Sequence, residues 1–346
     1  MTTLNTSTSE PHAVALLGIG RIGIMHARIL AAHAMVERLV LADVDPECAA
    51  QAADELGCES ALVEQVLDHN NPLALDGLVV ATGTDTHADL LIASASIGLP
   101  VYCEKPIALN LEQALAAQRA LEESQLPHHI GFQRRFDTAY TRAKELLEAG
   151  ELGELRRFHA LTCDMAPPAD RFIPGSGGVF LDCNVHDFDI LRWVTGREVV
   201  EVYATGSARG SKAFAENNDF SDSVAILTFD DGTVGSVHSS RYNGQGYEVR
   251  LDLMGTKGSA NVGLDNKVPF RSMEDGVEFP PEAPWDDFIA RFLPCYEREL
   301  DHFLRNTMFG LPSACTATDA VAALKIALAC NKSRDEHRPV RVSEID

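Results

Sequence analysis

Val14 to Leu17 form a short apolar run, and in the following stretch, GIGRIGIMHARILAAHA, apolar residues recur at helical spacing. Strand, glycine turn and helix are predicted there. RLVLADVDP reads as a second strand ending on Asp43, and PECAAQAADELG as a helix closed by Gly57. DGLVVATGTDTHADLLIASASIGLPVYCEKPIAL repeats the alternation: a strand to Ala81, a loop, a helix, and a strand from Val101 to Cys103. Strands alternating with helices up to Gly131 predict a parallel sheet with helices on both faces.

After HHIGFQRRF the pattern changes. A helix in TAYTRAKELLEAG leads to RRFHALTCD and then to the alternating or apolar runs VVEVYATGSA, SVAILTFD, TVGSVHSSRYN and YEVRLDLMG. Their turns, DDGT, NGQG and GTKGS, predict a mostly antiparallel sheet. Residues 285–304 and 316–331 read as closing helices, and no internal repeat or low-complexity tract is present. At 346 residues the chain can build two cores. The expected organisation is α/β: a solvent-exposed tail over 1–12, a doubly wound parallel domain over 13–131, and an α+β domain with a large open, mostly antiparallel sheet over 132–346.

Composition narrows the partners. Lys plus Arg total 29 against 51 Asp plus Glu, a net charge of −22, and no basic run interrupts the acidity. Such a surface repels phosphate backbones and anionic membranes, so nucleic acid and membrane are excluded as partners. MTTLNTSTSEPH lacks the charged and apolar regions of a secretory signal, and no apolar run is long enough to span a bilayer, so a soluble cytoplasmic protein is expected. The eight cysteines have no CxxC spacing and read as reduced core thiols. The remaining histidines show no metal-ligand spacing with cysteines or carboxylates, and no metal is expected.

Gly18, Gly20 and Gly23 form GxGxxG between the first strand and its helix, with Arg21 and Ile22 inside the motif. Asp43 lies twenty positions after Gly23, at the end of the next strand, as a dinucleotide fold requires. Gly18 permits the turn, Gly20 lets the backbone approach a pyrophosphate, and the helix N-terminus supplies amide donors. Asp43 suits the two ribose hydroxyls of NAD and repels a 2′-phosphate, and neither Val44 nor Asp45 offsets that repulsion, so NAD is favoured over NADP. A packing turn followed by an incidental aspartate is the alternative.

VYCEKPIALN sets Glu104, Lys105 and Pro106 at the carboxyl end of a parallel strand, the edge where such sheets bind ligands. FLDCNVHDFD, read as a helix, puts Asp182, His186 and Asp189 at i, i+4 and i+7 on one stripe, with Leu181, Val185 and Phe188 about a quarter turn away. One side anchors the helix and the other is free for chemistry. The alternative is an aspartate satisfying helix donors and an ordinary i, i+4 pair with the histidine. Oxidising a secondary alcohol needs a hydride acceptor and a base; histidine titrates near neutrality, so His186 suits the base, Asp182 can hold its imidazole, and Lys105 favours a developing alkoxide.

GIGRIG, ATGTDTH, EKP, GFQRRFD and DCNVHDFD, in this order and spacing, resemble the Gfo/Idh/MocA oxidoreductases, and within that family the bacterial inositol 2-dehydrogenases. The resemblance implies an N-terminal Rossmann domain that binds NAD and a C-terminal domain whose open sheet builds a homotetramer. It implies that Lys105 of Glu104-Lys105-Pro106 touches both cofactor and substrate, and that Asp182 and His186 are the DxxxH pair, with His186 the proton acceptor. Arg134, Asp189 and Tyr247 match substrate-contacting positions, and Thr82 and His87 match the loop passing the nicotinamide ribose. The reaction so implied takes a cyclitol, myo-inositol, to its 2-keto form. Thr162, Cys163 and Asp164, with Gln133, depart from the inositol dehydrogenase pattern where substrate is read. A pyranose or anhydrosugar dehydrogenase is therefore the rival enzyme reading, with Asp164 counted as substrate-facing. A non-catalytic NAD-binding sensor is the reading from another class, and it is opposed by the presence of both Lys105 and His186.

Overall fold

The computed structural model describes residues 12–346. The described residues cluster into two compact units. The first comprises residues up to Ala108, Glu112–Gly131 and Tyr296–Thr318; the second comprises Leu109–Leu111, Phe132–Cys295 and Asp319–Asp346.

In the first unit β1 (His12–Leu17), α1 (Arg21–Ala31), β2 (Val36–Ala42), α2 (Pro46–Leu56), β3 (Glu59–Ser60), α3 (Val63–Val66), β4 (Gly77–Val80), α4 (Thr84–Ile97), β5 (Val101–Glu104), α5 (Leu111–Ser124) and β6 (His128–Gly131) follow one another. Their strands form a sheet of order β3-β2-β1-β4-β5-β6 with every pairing parallel. That is the doubly wound order, and its switch point falls between β1 and β4. β1, β4 and β5 are apolar nearly throughout and buried, as strands covered on both faces must be. Asp45 caps α2 by accepting from the Glu47 and Cys48 amides, Pro46 occupies its first turn, and Gly57 closes it in the left-handed conformation.

The second unit runs through α6 (Thr138–Glu148), β7 (Leu155–Cys163), a π-helical turn (Phe180–Asn184), α7 (Val185–Thr195), β8 (Val199–Ser207), α8 (Lys212–Glu216), β9 (Asp222–Phe229), β10 (Val234–Ser240), β11 (Glu248–Gly255) and β12 (Ser259–Val262). α9 (Phe288–Arg305), α10 (Ala317–Glu336) and β13 (Val340–Arg341) complete the chain. The sheet has the order β12-β11-β7-β10-β9-β8-β13 and is antiparallel except between β7 and β10. Alternation along β9 buries Val224's neighbours Ser223 and Ala225 together with Leu227 and Phe229, and leaves Ile226 exposed on the other face.

Two expected boundaries change. His12 is the first residue of β1 rather than the end of a tail, and the other residues of that expected tail, 1–11, lie outside the described residues. Residues 132–346 do not form one domain, because Tyr296–Thr318 belongs to the first unit. The cause is the apolar stripe of α9: Leu300, Phe303 and Leu304 pack in one buried cluster with Val14, Leu16, Leu30 and Val79. No helix among the described residues is long and apolar enough to cross a membrane.

Candidate active site

The first unit concentrates its backbone constraints around the glycine loop. Gly18 has φ +92°, and a Cβ there would lie 2.7 Å from the Ala81 carbonyl oxygen at the end of β4. A Cβ on Gly23 would sit 1.8 Å from the Gly18 oxygen, so only glycine lets α1 start against the loop. At Gly20 the opposite holds: nothing lies within 4 Å of the added carbon. α1 also begins with no side-chain cap and no acidic residue in its first turn. An uncapped, open helix start beside a glycine turn fits a pyrophosphate, which its amides would hold.

Asp43 stands beside that loop with both oxygens engaged. Oδ2 accepts from the Ile19 amide at 2.7 Å and Oδ1 from the Asp45 amide at 2.9 Å. Each oxygen keeps a lone pair, so a fixed carboxylate remains able to accept from ribose hydroxyls. Arg21 is exposed, Ile22 half-buried. These residues fit NAD.

The loop after β4 is tied to the lysine loop. His87 is buried, with Nδ1 at 2.8 Å from the Pro106 oxygen and Nε2 at 3.2 Å from the Thr82 oxygen. Burial lowers its pKa against the opposing pull of those carbonyls. His87 thus holds the two loops in place, whereas Thr82, whose hydroxyl meets that of Thr86 at 2.7 Å, is the half-exposed member. Lys105 is half-buried.

Glu104 faces the interior instead of the ligand edge. Its Oε1 lies 2.6 Å from His26 Nε2 and 3.1 Å from the Tyr102 hydroxyl, which also reaches Glu299 Oε2 at 3.0 Å. Glu299 in turn meets His129 Nε2 at 3.1 Å. Burial pushes the Glu104 carboxyl up, but His26 and the charge of Lys105 outweigh it and hold the group below its usual range. Expected at the cofactor, Glu104 is an interior anchor for the strand end that carries Lys105.

In the second unit the π-helical turn breaks the simple helical stripe. Asp182 and His186 are half-buried, and Leu181, Val185 and Phe188 are sealed in the core. Asp189 does not share the exposed side: it is fully buried and bound by Arg135, whose Nε and Nη2 donate at 2.9 and 2.5 Å. Along regular α7 a step of three residues from His186 turns Asp189 roughly 60° around the helix, beside the buried Val185 and Phe188, and the apolar surroundings make an ion pair the only low-cost state for Asp189.

Arg134 is likewise interior. It donates to Asp187 Oδ1 at 2.6 Å and to Thr162 Oγ1 at 2.9 Å, while Asn184 Nδ2 donates to Asp187 Oδ2 at 3.1 Å. Tyr247 is buried and meets the rings of Phe288 and Phe292 edge-on. Asp164 and Asp182 are brought together by one guanidinium: Arg241 donates to Oδ2 of each, at 2.6 and 2.5 Å.

Asp187 and Arg241 escaped the sequence reading. Asp187 adjoins the expected histidine but occupies the inward face of α7. Arg241 could have been found by parity, because Val237 and Ser239 of β10 face inward and Arg241 continues that face past the strand end. Among the described residues no group of three or more His, Cys, Asp or Glu is arranged to hold a metal ion.

Residues 12–132 match the oxidoreductase family, NAD-binding Rossmann fold, and residues 140–261 match the GFO/IDH/MocA C-terminal domain. The scyllo-inositol 2-dehydrogenase (NAD(+)) of Bacillus subtilis (strain 168) is 32% identical over 332 residues, 95% of this chain and 95% of that protein. A myo-inositol dehydrogenase from Corynebacterium glutamicum ATCC 13032 has a crystal structure that superposes with TM-score 0.85 at 30% identity, covering 96% of this chain and 98% of its own. The scyllo-inositol dehydrogenase of Lactobacillus casei, crystallised with bound NAD(H) and scyllo-inositol, superposes with TM-score 0.85 at 25% identity over 96% of this chain and 100% of its own. With both domains matched in order and the likeness running nearly end to end, the chain belongs to the GFO/IDH/MocA family of NAD-dependent oxidoreductases.

Proposed function

We propose that this chain oxidises a secondary hydroxyl of a cyclitol, myo- or scyllo-inositol being the leading candidates. The observation that carries the reading is the contrast on the turn from Asp182 to Asp189: Asp182, though one oxygen accepts from Arg241, and His186 keep a solvent-facing edge, while Asp187 and Asp189 are fully buried in arginine pairs. Relatives named as inositol dehydrogenases support the cyclitol.

NAD held by the glycine loop and Asp43 would supply the acceptor for the hydride of the carbinol carbon. His186 takes the hydroxyl proton, imidazole being the side chain whose ordinary pKa lies nearest neutrality. Asp182 orients the imidazole and stabilises its protonated form, and Lys105 places a positive charge at the oxygen as it becomes a carbonyl. Asp43 favours NAD over NADP by accepting from both ribose hydroxyls. Thr82 lines the nicotinamide side of the cofactor, and Asp164 binds a hydroxyl of the ring. Arg134, Asp189 and Tyr247 shape the substrate site from behind.

The outward face of the second sheet exposes Tyr203, Ile226 and Val234, an apolar patch consistent with assembly into a homotetramer. Mass by light scattering, with Ile226→Asp as the disrupting variant, tests that assembly. An enzyme of this kind draws on the cytoplasmic NAD pool, which we take as its compartment.

NADH formation should be followed with NAD and, separately, NADP across myo-, scyllo- and chiro-inositol, glucose, galactose, xylose and levoglucosan. Turnover of an inositol with NAD supports the reading. A preference for a pyranose or anhydrosugar keeps the mechanism and replaces the substrate, and measurable NAD binding without any turnover on the panel would overturn the cyclitol assignment.

A further inference from the structure

Arg241 is a buried cation that the mechanism leaves unused. It follows β10 directly, and Asp164 follows β7. These strands are parallel neighbours with Ser240 opposite Cys163, so the two residues emerge at the same edge of an otherwise antiparallel sheet. The Asp164 amide donates to the Ser240 carbonyl at 2.8 Å, extending the ladder one step beyond the strands.

The Arg241 side chain is 5% exposed, whereas those of Asp164 and Asp182 are 23% and 21% exposed. The guanidinium is therefore sealed behind two carboxylates that face outward. Each gives one oxygen, Oδ2, to Arg241. Two carboxylates this close repel, and without a shared cation one of them would take up a proton or swing away. The planar fork of an arginine presents separate, fixed donors to each, whereas a lysine could reach both only as a flexible point charge.

We propose that Arg241 is a positioning residue that fixes Asp164 and Asp182 as one rigid pair of acceptors, so that two neighbouring hydroxyls of a neutral polyol are bound together on the turn that carries His186. The inference rests on the polyol reading above and adds a substrate requirement to it: a vicinal diol, uncharged, since a sugar acid would meet two carboxylates. Arg241 touches no reacting atom and acts through Asp182.

The test uses the full chain with Arg241→Met, Asp164→Asn, the double variant, and Arg241→Lys in case the methionine variant does not fold. Crystal structures, NAD affinity and kcat/KM for the best alcohol of the panel are compared. In Arg241→Met the carboxylates should move apart by roughly 1 Å or more, with kcat/KM down about 100-fold and NAD affinity within about threefold. Adding Asp164→Asn removes the repulsion and should recover about tenfold of the loss. Arg241→Lys should keep one carboxylate contact and lose the other, with an intermediate kcat/KM.

An unmoved pair of carboxylates in Arg241→Met, turnover within about threefold of the parent, or a double variant worse than both single ones would overturn the proposal. Should Arg241→Met not fold, an Arg241→Lys variant that loses a carboxylate contact yet keeps kcat/KM within about threefold of the parent would overturn it as well. If the parent oxidises nothing on the panel, the cyclitol reading fails, and the crystal structures alone still decide whether Arg241 holds the pair.

Discussion

Asp43 Oδ2 accepts a hydrogen bond from the Ile19 amide at 2.7 Å, so the carboxylate expected to read the ribose is also a brace for the glycine turn. Asp43→Ala should therefore do two things at once. NAD affinity should fall by about tenfold or more, and the preference for NAD over NADP should shrink because the repulsion of a 2′-phosphate disappears. Titration calorimetry with each cofactor measures both; an unchanged NAD to NADP ratio would show that Asp43 serves only the turn.

Lys105→Met and His186→Ala should each lower kcat by about 1000-fold, since a general base and a charge at the reacting oxygen each contribute on that scale. NAD affinity should stay within a few fold. Steady-state rates alongside cofactor binding check this, and near-normal turnover in both variants would remove them from the catalytic set.

Breaking the interior pair is a stability experiment. Arg134→Met leaves Asp187 buried without its cation, which should cost about 3–5 kcal/mol, whereas the exposed pair Arg142 to Glu145 should be worth well under about 1 kcal/mol. Urea unfolding of Arg134→Met and Arg142→Ala distinguishes the two. Comparable losses would mean that the interior pair is better compensated than its burial implies.

Glu104 ties stability to acidity. Its carboxyl is held below the ordinary value, so its share of stability is fully present above the unfolded pKa near about 4.3 and is lost as pH falls through the lower folded value. Unfolding midpoints of the parent and of Glu104→Gln should differ most at neutral pH and converge in acid. A gap that stays constant down to strongly acidic pH would contradict the assigned ionisation.

Much of this was legible beforehand. The glycine spacing, Asp43 and the alternation of β1, β2, β4 and β5 declare the parallel sheet because local pattern and tertiary role coincide there. The inward turn of Asp189 was not legible, because the roughly 60° between it and His186 decides its side only once the partner of the buried carboxylate, Arg135, is known. The interior pairing of Arg134 was hidden for a related reason: a charged residue within a substrate-facing motif reads as available until its partner is known, and Asp187 stands unmarked beside His186. His87 and Glu104 matched family motifs in type but turned inward. Burial of a polar group depends on contacts from distant chain, here Pro106 and His26, that a linear reading does not contain.

The return of Tyr296–Thr318 to the first unit limits how the chain can be cut. A gene fragment ending at Gly131 would encode every strand of the nucleotide-binding sheet yet omit Leu300, Phe303 and Leu304 from its interior. Such a fragment should be poorly soluble when expressed alone, and grafting Tyr296–Thr318 back onto it through a short linker should restore it. The same interlacing means that no single cut in the chain separates the two units, so neither can be expressed or exchanged as one contiguous segment.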